Sequence, residues 1–136
     1  MEIRPRQAAD LSLVSALLQD AELPVAGLEG TRGWVACEAG KLLGHVALDE
    51  SADAIVIRSL VVQATDHRKG IASALFAQAE AAAAERRIFL RTRTIVDWVK
   101  RRGYVEVDRE ACPASILSSV EFSTAICSSV AIFTRG

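Results

Sequence analysis

The residues whose types and spacing suggest chemistry lie in the stretch DHRKGIASALF, residues 66 to 76. A basic cluster runs into a glycine, and small residues then lead into an apolar segment with helical spacing. The first N–H groups of a helix have no partners within the helix and carry partial positive charge, so they suit an anion such as a phosphate. Gly70 lets the backbone approach a ligand closely. The charged and small residues around it are Arg68, Lys69, Ala72 and Ser73.

Two interpretations of this stretch stay open on spacing alone. It is either an anion-binding loop at a helix start or a solvated basic turn between a strand and a helix. The phosphate-loop pattern GxxxxGK[ST] and the dinucleotide pattern GxGxxG are both absent. The anion site, if present, is therefore of another kind.

The elements around this stretch predict one mixed α/β domain covering residues 1–136, in the order β-α-β-β-β-α-β-α-β-α-β. The chain of 136 residues is long enough for one core, and 51% of its residues are hydrophobic. Strands are predicted at 1–4, 34–39, 41–49, 54–62, 88–92, 104–108 and 130–134. Helices are predicted at 8–23, from about 70 to 86–87, from a capping box at Thr94 to Gly103, and from Pro113 through Val120.

Composition argues against several classes of function. The net charge of −1 gives no reason to expect a nucleic-acid or membrane partner. No apolar run reaches the roughly 18–20 residues of a transmembrane helix, and the charged N-terminus predicts no secretory signal. Three widely spaced cysteines and two isolated histidines offer no metal site. We expect a cytoplasmic protein with reduced thiols and no bound metal.

Two separated motifs resemble the GNAT superfamily of acyl-CoA-dependent N-acyltransferases. The family's loop V-x5-R-x-x-G-x-G/A is similar to Val62 followed by HRKGIA at 67 to 72, and its signature F-Y-x-K-x-G-F is similar to WVKRRGY at 98 to 104. The element order also resembles that fold, so we expect a central mixed sheet of about seven strands with helices on both faces. A narrower resemblance, to small GNAT proteins of arsenic resistance operons and the acetyltransferase domain of N-acetylglutamate synthases, is carried by IRP, IRSLVV, LRTRT, VDR and CPASI…EFS…C.

The resemblance implies acetyl-CoA as co-substrate, held by the loop and by the end of the strand before it. The implied residues are Leu60, Val61, Val62, His67, Arg68, Lys69, Gly70, Ile71, Ala72 and Ser73. His67 stands where the family usually has arginine or glutamine. Because the cradle consists mainly of backbone N–H groups, we expect binding to survive this change.

Further along the chain, Trp98 and Arg102 lie one helical turn apart, where they would pack along the CoA nucleotide or, for Trp98, within the core. Arg58 interrupts an apolar strand, so it is either solvated, paired, or placed to grip a substrate carboxylate. Thr92, between Arg91 and Arg93, is a second candidate for substrate binding.

The catalytic acid and base are not evident from the sequence. The family's tyrosine, which protonates the departing thiolate, is replaced by Val99, and Tyr104 is the remaining candidate acid. Glu38, Asp49, Asp53 and Glu121 are the carboxylates considered as base. Two functions therefore stay open: an N-acetyltransferase acting on a small amine, or an acyl-CoA-binding pseudoenzyme. A homodimer formed through a sheet edge is compatible with either.

Overall fold

The computed structural model describes residues 1–67, 70–117 and 130–136. The strands are β1 (Glu2–Pro5), β2 (Arg32–Glu38), β3 (Lys41–Glu50), β4 (Ala54–Val62), β5 (Arg87–Thr92), β6 (Val105–Val107) and β7 (Ala131–Arg135). The helices are α1 (Leu11–Asp20), α2 (Ile71–Ala83), α3 (Val96–Arg101) and α4 (Ala114–Leu117). The predicted order of elements is therefore present.

One seven-stranded sheet in the order β1-β2-β3-β4-β5-β7-β6 organises the chain. Among the described strands, neighbours run antiparallel except for β4 and β5, which are parallel. The helical crossover α2 connects these two strands, as a parallel pair requires. This mixed sheet with helices on its faces confirms the predicted α/β fold class.

The core lies on both faces of the sheet because β3 and β4 are buried on both sides. One face packs against α2 through a cluster that includes Val46, Ile57, Leu75, Phe76 and Val99. The opposite face packs against α1 near the first strands and against α4 near the last ones. This two-sided burial explains why IVIRSLVV is a nearly continuous apolar run with no polar alternation.

Several predicted helix boundaries were wrong, and the first helix, predicted at 8–23, is observed as α1 at Leu11–Asp20. The pattern from Thr94 to Asp97 does not form a capping box, because Ile95 occupies the N-cap of α3 without a side-chain hydrogen bond. The hydroxyl of Thr92 instead accepts the N–H groups of Thr94 and Ile95, at 3.2 and 3.3 Å. The second helix ends at Ala83, earlier than predicted, because Ala84 turns to a positive φ of 56°.

The end predicted for the third helix is confirmed. Gly103 adopts a left-handed φ of 90° directly after the C-cap, and the N–H of Tyr104 bonds back to the carbonyl of Val99 at 3.2 Å. The predicted helix from Pro113 is observed as α4, whereas its final residue, Val120, lies outside the described residues. Within the described parts of the chain, no helix is both long and apolar enough to cross a membrane.

Candidate active site

A wedge opens between the two parallel strands at the centre of the sheet. Strands β4 and β5 pair at Ala54–Arg87, Ile55–Ile88 and Val56–Phe89, and their ladder ends there. Beyond Val56, β4 continues along β3 and β5 continues along β7. The two strands therefore diverge, and the facing edges of their backbones line the gap.

A β-bulge in β4 lies on the wall of this wedge. Ala47 of β3 pairs with Arg58 and His45 pairs with Val61, so Ser59 and Leu60 together oppose one residue of β3. Ser59 has a φ of +58°, a left-handed conformation that is uncommon for a residue with a side chain. Bulges of this kind bend a strand and redirect its peptide groups.

The N-terminus of α2 closes one end of the wedge. Gly70 is its N-cap, has a left-handed φ of 74°, and has no side chain that could make a capping hydrogen bond. A Cβ built at Gly70 would meet no described atom within 4 Å, so the first N–H groups of α2 are not covered by the N-cap residue. The side chain of His67 is bonded locally, with Nε2 donating to the carbonyl of Val62 at 3.0 Å. Arg68 and Lys69 lie outside the described residues.

The wedge and the helix N-terminus border one cavity of about 800 Å³. The predicted residues that line it are Arg58, Leu60, Val61, Val62, His67, Gly70, Ile71, Ala72, Ser73, Thr92 and Trp98. Arg102 and Tyr104 are not among the lining residues. The structure therefore gathers residues from β4, α2, β5 and α3 around a single space.

Arg102 supports the cavity from outside. Its guanidinium carbon lies 3.4 Å from the ring centroid of Trp98, and its Nη2 donates to the hydroxyl of Ser73 at 2.7 Å. Trp98 in turn meets Phe76 edge-on, with centroids 5.0 Å apart. This arrangement fixes α3 against the first turn of α2, so Trp98 serves the core and the cavity wall together.

Among the described residues, three arginines line the cavity, one from β4 and two from the end of β5. Arg58 is 3% exposed, and its Nε donates to the hydroxyl of Ser59 at 3.0 Å. Arg91 and Arg93 line the same space from the end of β5. A buried guanidinium on a cavity wall suits a carboxylate, because its planar fork of donors matches two carboxylate oxygens.

Two carboxylates line the cavity, and the sequence reasoning singled out neither. Asp66 is 7% exposed and lies 3.8 Å from the ammonium of Lys41. Glu22 follows α1 and has a φ of +59°, in the C′ position of a helix-ending turn that usually holds glycine. In that turn the N–H of Glu22 bonds Gln19 at 3.0 Å and the N–H of Leu23 bonds Leu18 at 2.9 Å.

The carboxylates considered from the sequence are elsewhere. Glu38, Asp49 and Asp53 are not among the cavity-lining residues, and Glu121 lies outside the described part of the chain. Glu22 lies in the turn after α1 and not on a strand, so the strand patterns of the sequence did not indicate it. Its signal was a leucine-proline pair after a helix, where a glycine is the usual helix end.

The structure argues against Tyr104 as the catalytic acid. Tyr104 is 2% exposed, and its hydroxyl donates to Glu80 Oε2 at 2.8 Å. Burial, reinforced by that hydrogen bond, raises the pKa of Tyr104 above its ordinary value. The Tyr104 hydroxyl is therefore hydrogen-bonded away from the cavity, which Tyr104 does not line. Val99, the position where the resemblance expects tyrosine, is fully buried and is not among the cavity-lining residues either.

No group of three or more His, Cys, Asp or Glu side chains that could hold a metal ion occurs among residues 1–67, 70–117 and 130–136. Cys37 is half-buried and Cys112 is buried, and both are free thiols. Cys127 lies outside the described residues.

Comparison with known sequences gives the family to which this chain belongs. The family model described as acetyltransferase (GNAT) domain matches residues 15–118. The chain belongs to the GNAT acetyltransferases, which confirms the acyltransferase class expected from the sequence. Among curated proteins, none matches this chain.

Solved structures share the fold at low identity. N-acetylglutamate synthase from Neisseria gonorrhoeae, complexed with coenzyme A and N-acetyl-glutamate, is 19% identical with a TM-score of 0.82 over 99% of this chain. The match covers 35% of that protein, so this chain spans about a third of its length. Rv2747 from Mycobacterium tuberculosis, in complex with CoA, is 18% identical with a TM-score of 0.80, and 98% of each chain is covered. An aminoglycoside 6′-N-acetyltransferase complexed with coenzyme A is 14% identical with a TM-score of 0.71, covering 99% of this chain and 96% of that one.

Proposed function

We propose that this protein is an acetyl-CoA-dependent N-acetyltransferase that acetylates the amine of a small, amino-acid-like substrate. The observation that carries the proposal is the wedge between β4 and β5, bordered by the uncapped N-terminus of α2. In support, an N-acetylglutamate synthase and an aminoglycoside 6′-N-acetyltransferase of the same fold are complexes with coenzyme A. The narrower resemblance to GNAT proteins of arsenic resistance operons belongs to this proposal and concerns the acceptor.

The chain offers a fitting site for the coenzyme. The N–H groups at the start of α2, from Gly70 to Ser73, would hold the pyrophosphate, with Arg68 and Lys69 adding charge. The left-handed Gly70 has no side chain to cover them. Among the described strands, none pairs with β4 at Leu60, Val61 or Val62 on the wedge side, so this backbone is available to an amide-bearing arm.

Binding of acetyl-CoA supplies the acetyl group as a thioester. The neutral amine of the acceptor attacks the thioester carbonyl, the C–N bond forms, the C–S bond breaks, and the amine loses a proton. The chain's own contribution is to hold the two reactants together and to direct backbone N–H donors of the β4 bulge at the developing oxyanion. A covalent enzyme intermediate is not needed.

The lining of the cavity carries both charges that an amino acid requires. Arg58, buried on the wall beside the bulge, would bind the carboxylate. Glu22, on the wall formed by the turn after α1, would bind the ammonium group and accept its proton directly or through water. Thr92 lines the same cavity, and its hydroxyl, which accepts the N–H groups of Thr94 and Ile95, keeps its own proton to donate to a substrate.

A second function is favoured by one specific observation, the burial of Val99 and of Tyr104, which is the one tyrosine of the chain. Val99 lies in the core and Tyr104 is bonded to Glu80, so neither position supplies an acid to the leaving thiolate. A protein of this kind could bind acyl-CoA without turnover. Because a thiol ionises near pH 8.5, however, the thiolate leaves without obligatory protonation, and we expect a slow enzyme.

Binding and turnover separate the two functions. Calorimetry with CoA tests the coenzyme site, and release of free thiol from acetyl-CoA with a panel of amines tests turnover across pH 7 to 9.5. Thiol release above the uncatalysed rate supports the enzyme. CoA binding without thiol release for any amine supports the pseudoenzyme, and no CoA binding at all refutes both.

A further inference from the structure

A buried histidine contacts the wall of the active-site wedge from behind. His45 on β3 has no exposed surface, and its ring lies between the guanidinium of Arg6 and the backbone of Ser59. The distance from Arg6 Nη1 to His45 Nε2 is 2.9 Å, and that from His45 Nδ1 to the Ser59 carbonyl oxygen is also 2.9 Å. Neither Arg6 nor His45 lines the cavity.

These contacts define the protonation of the ring. A guanidinium only donates hydrogen bonds and a carbonyl oxygen only accepts them. Nε2 must therefore accept from Arg6, and Nδ1 must carry the proton that is donated to Ser59. Burial, with the positive charges of Arg6 and Arg58 nearby, lowers the pKa of His45 to about 4, which keeps the ring neutral near pH 7.

Arg6 is itself held in place by the backbone. Its Nη2 donates to the carbonyls of Leu28, at 3.0 Å, and Thr31, at 2.6 Å. A glycine makes room for the guanidinium: a Cβ at Gly33 would lie 2.6 Å from Arg6 Nη1 and 3.0 Å from His45 Nε2. Arg6 thus connects three parts of the chain: the segment after β1, the loop before β2, and His45 in the middle of β3.

The contact matters because Ser59 is the left-handed residue of the β4 bulge. A non-glycine residue in this conformation costs about 1 kcal/mol or more, and it persists only when its surroundings hold it there. Two side chains do so, His45 at its carbonyl and Arg58 at its hydroxyl. None of the described peptide bonds is cis, so the N–H of Leu60 points away from the Ser59 carbonyl that His45 binds.

We propose that Arg6 and His45 are positioning residues that fix the Ser59–Leu60 peptide of the cavity wall, so that its N–H is oriented toward the reacting carbonyl. This inference rests on the proposed acetyltransferase activity. The two residues act through the bulge and not by contact with a substrate. Their loss should slow the chemical step while leaving CoA binding, which depends on the N-terminus of α2, unchanged.

The kinetic test compares His45→Leu with His45→Gln, because the amide of glutamine both donates and accepts. We expect His45→Leu to lower kcat by about 10²-fold, the effect of a misplaced catalytic group, with the Kd of CoA changed by less than about twofold. His45→Gln should restore part of kcat, and Arg6→Met should resemble His45→Leu. Val14→Ala is the control for destabilisation alone, because Val14 is a buried residue of α1 that does not line the cavity.

Two results would overturn the inference. One is a kcat for His45→Leu equal to that of Val14→Ala, measured well below the unfolding temperature of both. The other is independent of activity: ¹⁵N NMR of the imidazole in the intact protein should show Nδ1 protonated and Nε2 bare, and the opposite tautomer would contradict the network. Failure of the wild-type protein to bind CoA would refute the proposed function and leave the tautomer unaffected.

Discussion

The neutral His45 makes the stability of the fold depend on pH in a calculable way. In the unfolded chain a histidine titrates near 6.5, whereas burial lowers the pKa of His45 to about 4 in the folded protein. Above pH 6.5 the ring is neutral in both states, so its contribution to stability is constant. Between pH 6.5 and 4 the unfolded chain binds a proton that the folded chain does not, and the free energy of unfolding falls as the pH falls.

The size of this loss follows from the two pKa values. Each pH unit in the window removes about 1.4 kcal/mol, so the loss reaches about 2.5 kcal/mol by pH 4.5 and about 3 kcal/mol near pH 4. Asp10, whose pKa is lowered to about 2 by its hydrogen bond to Arg4, loses its contribution at lower pH, below the ordinary carboxyl range. The loss due to Asp10 therefore lies below the interval from pH 6.5 to 4.5, over which His45 becomes protonated in the unfolded chain.

Urea unfolding followed by tryptophan fluorescence at several pH values from 7 to 4.5 measures the effect. His45→Gln cannot bind the proton, so its free energy of unfolding should decline less steeply than that of the wild type by about 2.5 kcal/mol over this range. Subtracting one curve from the other cancels the carboxylates common to both proteins. A difference that stays constant within about 0.5 kcal/mol would show that His45 is not a buried neutral base.

Four further results are expected at and around the cavity. Gly70→Val should abolish CoA binding in calorimetry because a β-branched side chain resists a φ of +74° and covers the helix N–H groups, whereas His67→Ala should bind normally; the reverse order would refute the backbone cradle. Arg58→Ala should weaken acceptor use by about 1.5–3 kcal/mol in kcat/KM with CoA affinity unchanged, and equal loss of both would indicate a structural arginine. Glu22→Gly should raise the free energy of unfolding by about 0.5–1 kcal/mol, by relieving the left-handed backbone, while lowering kcat/KM for the amine; unchanged kinetics would remove Glu22 from the site. Val99→Tyr should lower the free energy of unfolding by about 1–3 kcal/mol in urea titration because the position is fully buried, and an accelerated, equally stable enzyme would contradict its place in the core.

The sequence predicted the parts of the site that depend on local patterns. Strand β4 was expected at 54–62 and is observed at Ala54–Val62. A glycine before an apolar helix predicted the open N-terminus of α2, and Gly70 is its N-cap. Both follow from neighbouring residues, because the apolar run and the glycine each determine structure within a few positions.

The features of the site that the sequence did not predict depend on contacts between distant positions of the chain. Arg6 and His45 are 39 residues apart, and nothing in the spacing of either indicates that they meet over Gly33. The bulge at Ser59 is hidden because a run buried on both faces has no alternation that a shift in register could interrupt. Tyr104 was considered as an acid from its residue type, whereas its side chain contacts Phe76, Glu80 and Arg135, all more than twenty residues away.

The short parallel ladder between β4 and β5 has a consequence for how this molecule is held together. Among the described residues, only three pairs connect β4 to β5, and all three lie at one end of these strands. The sheet therefore consists of two parts, β1–β4 and β5–β7, that are hydrogen-bonded to each other at that end alone. A bound molecule whose amide groups hydrogen-bond to β4 in the gap would take the place of a strand between β4 and β5. Hydrogen exchange of the backbone amides near Ile57 and Leu90 should then slow when the ligand binds, because the ligand would be part of the hydrogen-bonded sheet.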